Sequence, residues 1–187
     1  MNRLSMLVLG LSVLAAGCSE SSSPSGPSQG GTSTTTTFTV PLSPANEVPA
    51  TTNADASGSG TAVIALVVTK DAAGTITSAI ANIQISVTGF PAGTTVTDAH
   101  IHNGGPGANA GIYVSAGLAS GELVLTNGGG SIAKNGISVP SDRAAAILSN
   151  PAGHYFNVHT LLNPNGSIRG QLAGGGATVN SSDPVPY

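Results

Sequence analysis

The sequence predicts an all-β fold, an antiparallel β-sandwich or barrel with one short helix. The chain has 187 residues, of which 26 are Gly and 12 are Pro, so turn-forming residues recur along its length. Between these turns lie short segments rich in Val, Ile and Thr, the residue types that strands favour. Charged residues make up 7% of the chain, but the many β-branched residues distinguish it from a disordered protein.

Short segments with strand composition are separated by Gly, Pro and Asp turns. The segment 60–69 carries apolar residues on both faces, which predicts a central strand. In the next segment Ile83, Ile85 and Val87 alternate with polar residues, which predicts a strand with one buried face. The predicted strands are 38–42, 60–69, 76–88, 94–102, 112–115, 122–126, 131–137, 154–160 and 167–172.

The segment 141–148 has the composition of a helix. Ser141 is expected to cap it, Asp142 lies near the positive end of the helix dipole, and alanines follow. Asn150-Pro151 is expected to end it. Farther along, the Asn-Pro-Asn-Gly segment at 163–166 lies between two alternating runs, which predicts a hairpin turn.

Residues 1–18 resemble a bacterial lipoprotein signal. A positively charged start precedes a short apolar segment, and LAAGC at 14–18 resembles a lipobox, whose Cys becomes the lipid-bearing N-terminus. Cys18 is the one Cys of the chain, so an intrachain disulfide is excluded. The resemblance implies a lipid anchor in a bacterial cell envelope, and Ser19 implies the outer membrane.

Composition divides the rest of the chain. Residues 19–37 contain no apolar residue, which predicts a flexible Ser/Thr/Gly/Pro linker. Residues 38–173 form the predicted domain, and residues 174–187 a loosely ordered tail. The net charge is −3 and five Lys and Arg residues are spread over the chain, so nucleic acid is not an expected partner. The expected partners are the membrane, through the anchor, and an extracellular protein.

Three of the four histidines lie on the polar faces of two predicted strands. His100 and His102 share one face, because side chains alternate along a strand, and a Gly/Pro loop follows them. In a later strand Asn157 and His159 share the polar face. His154 has the opposite parity and is expected at the surface or at an edge.

Two interpretations of His100, His102 and His159 stay open. In the first, they form a buried polar network in a binding or structural module of the cell envelope. In the second, they bind one copper or zinc ion and leave a fourth position for water, Glu47 or an exogenous ligand. The candidate hydrogen-bond partners of the network are Glu47, Asn157 and Arg169.

No pattern typical of a catalytic site accompanies the histidines. The sequence shows no Ser/His/Asp or Cys/His arrangement and no paired carboxylates at a workable spacing. A lipidated Cys18 is not available as a nucleophile. We therefore expect a protein without enzymatic activity.

Three motifs resemble the CHRD (chordin) domain, in the order found in that family. They are LSPANEVP at 42–49, AHIHNGGPG at 99–107, and YFNVHT at 155–160 followed by NPNGSIRGQL at 163–172. The resemblance covers residues 38–172 and implies an antiparallel, Greek-key-like β-sandwich similar to immunoglobulin or superoxide dismutase folds. Ser167 departs from the acidic residue common at its position. Animal chordins are extracellular antagonists of growth factors, but fold alone does not transfer an activity.

A His-x-His strand on a sandwich is also similar to copper/zinc superoxide dismutase. The paired copper and zinc sites of that enzyme need more histidines than this chain contains. Its disulfide cannot form here, because the chain has a single Cys. Dismutase activity is therefore not expected.

Overall fold

Two antiparallel sheets face each other across a shared apolar core. The computed structural model describes residues 31–173 and 175–180. The strands in these residues are β1 (Thr32–Leu42), β2 (Ser59–Lys70), β3 (Ile76–Thr88), β4 (Thr94–His102), β5 (Ile112–Ser115), β6 (Leu123–Leu125), β7 (Gly130–Ser138), β8 (Tyr155–Thr160), β9 (Ile168–Gln171) and β10 (Gly176–Asn180). The helices are α1 (Ser141–Ser149) and three short 3₁₀ helices, Pro44–Asn46, Ala54–Ser57 and Pro151–Gly153.

The strand order confirms the predicted all-β sandwich with one short helix. The first sheet has the order β10-β1-β2-β3-β7. The second has the order β5-β4-β8-β9, and β6 also pairs with β4. Strand β2 pairs with both β1 and β3, so the prediction that it is central is confirmed.

Alternation along the strands builds the core. In β3, Ile83 and Ile85 are buried and Gln84 between them faces outward. The second sheet contributes Ile101 from β4 and Phe156 and Val158 from β8. Burying a side chain of this size contributes about 1.5–3 kcal/mol. Because successive residues point to opposite faces, the outer face of β4 and β8 is left to polar side chains.

Two strands extend the sandwich beyond the predicted domain limits. Strand β1 begins at Thr32, inside the predicted linker 19–37. It pairs with β10, which lies inside the predicted tail 174–187. The Thr residues of β1 are β-branched and suit a strand, and pairing satisfies the backbone N–H and C=O groups of both segments. The predicted signal segment 1–18, with Cys18, lies outside the described residues.

The predicted helix is present, but its predicted cap is wrong. Pro140 occupies the N-cap and makes no side-chain hydrogen bond, while Ser141 is already the first helical residue. Its hydroxyl is therefore not in the position from which a cap accepts N–H bonds. The predicted end is confirmed, with Asn150 as the C-cap. Within the described part of the chain, no helix has the length and apolar character needed to cross a membrane.

Gly170 of β9 lies against β1 with no room for a side chain. A Cβ atom there would lie 2.1 Å from the carbonyl oxygen of Pro41. We expect Gly170→Ala to lower the free energy of unfolding by about 3 kcal/mol or more, because backbone must move. Urea denaturation followed by circular dichroism measures this loss.

Gly111→Ala is the matched control, because a Cβ atom at Gly111 meets nothing within 4 Å. Its free energy of unfolding should stay within about 0.5 kcal/mol of the unmodified chain. Equal stability of Gly170→Ala and Gly111→Ala would contradict the close approach of β9 to β1.

Candidate metal centre

The outer face of the second sheet carries polar side chains in register. Strands β4 and β8 are antiparallel neighbours, and their pairing sets His100 opposite Asn157 and Asp98 opposite His159. His102 lies two residues after His100 on the same face. The structure thus brings together the three histidines that the sequence assigned to polar faces.

Loops bury this histidine cluster, although it lies outside the apolar core. The exposed fraction of the three histidines is between 5% and 7%. The loop 103–111, which follows β4, lies against the cluster. Its Asn109 donates a hydrogen bond to Val48 O in the loop after β1. Water is therefore largely excluded from the rings.

Each histidine directs one ring nitrogen to an oxygen outside the cluster. The three pairs, each 2.9 Å apart, are His100 Nε2 with Asp98 Oδ2, His102 Nδ1 with Ala110 O, and His159 Nδ1 with Pro164 O. Carbonyl and carboxylate oxygens only accept hydrogen bonds, so each of these ring nitrogens carries the hydrogen. The other nitrogen of each neutral ring is left with a lone pair.

These remaining nitrogens face one another and the amide oxygen of Asn157. One nitrogen of each ring lies within 4.8 Å of the others. His100 Nδ1 lies 3.0 Å from His159 Nε2. Asn157 Oδ1 lies 3.0 Å from Nε2 of both His102 and His159. With Asn157 Oδ1 facing neutral rings, all four atoms are acceptors, and none of the described residues places a donor between them.

Moving the hydrogen of a ring from its outer nitrogen to its inner nitrogen does not remove the repulsion between acceptors. The outer nitrogen of the same ring would then present its lone pair to a carbonyl or carboxylate oxygen. Buried acceptors that face each other without a donor are unfavourable. A cation between them, either a proton or a metal ion, removes the conflict.

Burial disfavours the proton as that cation. It lowers the pKa of His100, and the charge and hydrogen bond of Asp98 act in the opposite direction. Burial also lowers the pKa of His159, against a hydrogen bond to Pro164 O and with the help of the neighbouring histidines. Neutral imidazole is the form that binds metal ions. The cluster is therefore suited to a metal ion near neutral pH.

Glu47 lies behind the cluster and contacts Asn157. Only 7% of it is exposed, and burial raises the pKa of its carboxyl group to about 7. Arg169 and a hydrogen bond from Asn157 oppose that rise. Glu47 Oε1 has no hydrogen-bond partner in the described structure. A Cβ atom at Gly166 would lie 2.7 Å from this oxygen, so the glycine leaves room for the carboxyl group.

Arg169 ties the loop after β4 to the sheet. It is 1% exposed, and its guanidinium lies 3.4 Å from the centroid of the Tyr155 ring. It donates hydrogen bonds to Gly105 O and Ala108 O. Tyr155 in turn stacks on His102 with 4.6 Å between ring centroids. These contacts hold the His102 ring and the loop 103–111 in place, and the two are joined by the hydrogen bond from His102 Nδ1 to Ala110 O.

Asp55 holds the β8–β9 hairpin, whose turn supplies the carbonyl acceptor of His159. Asp55 is 1% exposed. Its Oδ2 accepts hydrogen bonds from Thr160 Oγ1 at 2.6 Å, Asn163 Nδ2 at 2.7 Å and Ser167 Oγ at 3.1 Å. A buried carboxylate with three donors orders the turn.

Sequence reasoning missed Asp98 and Asp55. Asp98 carries a usable signal, because it lies two residues before His100 and alternation places it on the same face. Asp55 carries none, since its contact with Thr160 joins residues 105 positions apart. The two backbone carbonyls that accept from His102 and His159 have no signature in the sequence.

His154 does not join the cluster, and its expected surface position is wrong. It is 3% exposed, and its Nδ1 donates a hydrogen bond to Asn150 O at 2.9 Å. Its ring centroid lies 5.2 Å from that of Tyr113. The segment between α1 and β8 folds back at this point, which buries a residue that strand parity alone assigned to an edge.

Comparison with known proteins gives a family match. A family model described as the CHRD domain matches residues 38–172. The matched range contains the histidine cluster, Glu47, Asp55 and Arg169. No curated protein and no solved structure matches the chain.

Glu47→Gln is expected to change the pH dependence of stability. The raised pKa means that the folded carboxyl group keeps its proton up to about pH 7, whereas the unfolded one loses it near 4.5. The unmodified chain therefore loses stability as the pH rises through this interval. A pKa raised from 4.5 to about 7 corresponds to roughly 3 kcal/mol, and solvent screening reduces this, so its deficit relative to Glu47→Gln should grow by about 2–3 kcal/mol between pH 4 and pH 8. Urea denaturation with a chelator present measures it.

Glu122→Gln is a control in which the effect of pH on stability is expected to have the opposite sign. A hydrogen bond from the Ala119 N–H and one from Lys134 lower the pKa of this exposed carboxyl group. Its charge stabilises the fold above the ordinary pKa of Glu, so this variant should lose stability at pH 8 and not at acid pH. Parallel pH profiles for Glu47→Gln and the unmodified chain would contradict the effect of burial on Glu47.

Proposed function

The chain belongs to the CHRD domain family, and from this premise we propose that it is a non-enzymatic protein of the cell envelope that binds one copper or zinc ion. The proposed ligands are His100, His102 and His159. One observation carries the proposal. Three buried ring nitrogens with lone pairs converge, while the opposite nitrogen of each ring donates outward.

The chemistry of the donors supports copper or zinc. Imidazole nitrogen suits these ions, whereas calcium and magnesium prefer oxygen ligands. Histidines that bind metals almost always donate their other N–H to a carboxylate or a carbonyl, which orients the ring. All three rings have such a partner here. The cluster is therefore preorganised in the way a metal centre requires.

The surroundings of the cluster support binding rather than turnover. Cavities of about 340 and 280 Å³ include Glu47, and neither has His100, His102 or His159 in its lining. The loop 103–111 is fixed by Arg169 and leaves the rings almost inaccessible. We therefore propose a domain that holds a metal ion, with no catalytic role.

We also propose that a lipid at Cys18 anchors the protein, on the outer membrane of a bacterium. The orientation of β1 supports a membrane-distal metal centre. Strand β1 runs from Thr32 to Leu42, and at about 3.3 Å per residue it spans roughly 33 Å. The next residue, Ser43, pairs with Arg169 beside the cluster. The proposed anchor precedes β1 and the cluster lies beside its other end, so we propose that the surface around the cluster meets an extracellular protein.

Metal titration of the full chain tests the proposal. The chain is purified in detergent, stripped with a chelator, and titrated with Cu(II) and with Zn(II), with bound metal measured by elemental analysis. We expect one ion per chain. His100→Ala and His159→Ala should lower the affinity roughly a hundredfold or more, since each removes a ligand. His154→Ala, which removes the one histidine outside the cluster, should leave it unchanged.

A chain that binds neither metal would overturn this function. If His100→Ala and His159→Ala also lost thermal stability, the histidines would form a structural network with Glu47, Asn157 and Arg169. The function would then lie in binding by the outer surface of a structural module.

Asp98→Ala is expected to weaken metal binding without removing a ligand. Asp98 Oδ2 accepts the hydrogen of His100 Nε2 at 2.9 Å, so its loss frees the ring to turn. Removing such a partner lowers metal affinity about 10–100-fold. Competition with a chromophoric chelator measures the change. Asp142→Ala, on helix α1, is the control, and an Asp98→Ala protein with the same affinity would contradict the positioning role.

A further inference from the structure

We infer that Asn157 Oδ1 is the fourth ligand and that the centre is closed by protein on all sides. The inference rests on the proposed metal-binding function and adds a ligand and a coordination state to it. Asn157 lies in the middle of the outer face, opposite His100 on β4 and Arg169 on β9. It is 2% exposed, so its amide group must find its partners within the protein.

The amide oxygen lies at the spacing of a ligand. Asn157 Oδ1 is 3.0 Å from His102 Nε2 and 3.0 Å from His159 Nε2. His159 Nε2 is also 3.0 Å from His100 Nδ1. In a tetrahedral centre with bonds of about 2.0–2.1 Å, neighbouring ligand atoms lie roughly 3.3–3.4 Å apart. These three edges are within a few tenths of an ångström of that spacing, whereas the histidine nitrogens that lie up to 4.8 Å apart must move closer by more than about 1 Å when the metal ion binds.

The neighbourhood of Glu47 agrees with this orientation of the amide. Asn157 lowers the pKa of the Glu47 carboxyl group, as the amide NH₂ does when it faces a carboxylate. Consistent with this, a Cβ atom at Gly166 would lie 2.8 Å from Asn157 Nδ2 and 2.7 Å from Glu47 Oε1. Oδ1 is then left among the ring nitrogens. Neutral rings offer it no hydrogen, whereas a metal ion gives this acceptor a partner.

Four protein ligands leave no open position on the metal ion. Zinc sites closed in this way are structural, whereas catalytic zinc sites keep a position for water or substrate. Three nitrogens and one oxygen, without sulfur, favour a divalent ion over Cu(I). The centre therefore holds Zn(II) or Cu(II) out of reach of small anions.

Azide binding to the Co(II)-loaded full chain tests the closed site, with Co(II) as a coloured substitute for Zn(II). We expect azide to leave the visible spectrum of the unmodified chain unchanged. Asn157→Ala opens the fourth position, so Co(II) should still bind through three histidines and its spectrum should now change with azide. Asn157→Asp keeps an oxygen ligand and should remain insensitive to azide.

A spectrum of the unmodified chain that changes with azide would overturn the closed site and leave the three-histidine centre standing. Failure of the unmodified chain to bind Co(II), Cu(II) and Zn(II) would overturn both, so the two failures are distinguishable. If Asn157→Ala does not fold, the azide response of the unmodified chain and of Asn157→Asp still tests whether the fourth position is closed. A more than tenfold loss of Co(II) affinity in Asn157→Asp would also overturn the role of the oxygen.

Discussion

The lone pairs of three buried imidazoles, directed at one small space, are the constraint on which the rest of this site depends. The one N–H group of each neutral ring donates a hydrogen bond to an oxygen outside the cluster, so the rings bring no donor to that space. In a buried environment this arrangement is costly unless a cation enters. Burial lowers the pKa of His100 and His159, so the cluster is suited to hold a metal ion, as we propose.

Each of the three outer hydrogen bonds depends on a charged residue. Asp98 is itself the acceptor for His100. Arg169 holds the loop after β4, which supplies the acceptor for His102, and Asp55 holds the hairpin that supplies the acceptor for His159. The polar surroundings thus fix the direction of every ring. Such preorganisation is what distinguishes a binding site from histidines that happen to be neighbours.

Because side chains alternate along a strand, the sequence predicted which histidines share a face. It did not predict which strands are neighbours. His100 shares a face with His102 because successive strand residues point to opposite sides, and local sequence contains that information. That β4 lies beside β8 depends on packing of the whole chain, and the sequence carried no signal for it. The sequence did not predict the pairing of β1 with β10 for the same reason, because the local composition of Thr- and Gly-rich segments is typical of linkers.

Long-range proton–nitrogen NMR of the histidine rings, with and without one equivalent of Zn(II), identifies the nitrogens that bind the metal ion. We expect Zn(II) to shift His100 Nδ1, His102 Nε2 and His159 Nε2 to metal-bound values. The opposite nitrogen of each ring should keep its hydrogen, and His154 should not change. Rings whose signals do not respond to Zn(II), or a metal bound to the outer nitrogens, would contradict it.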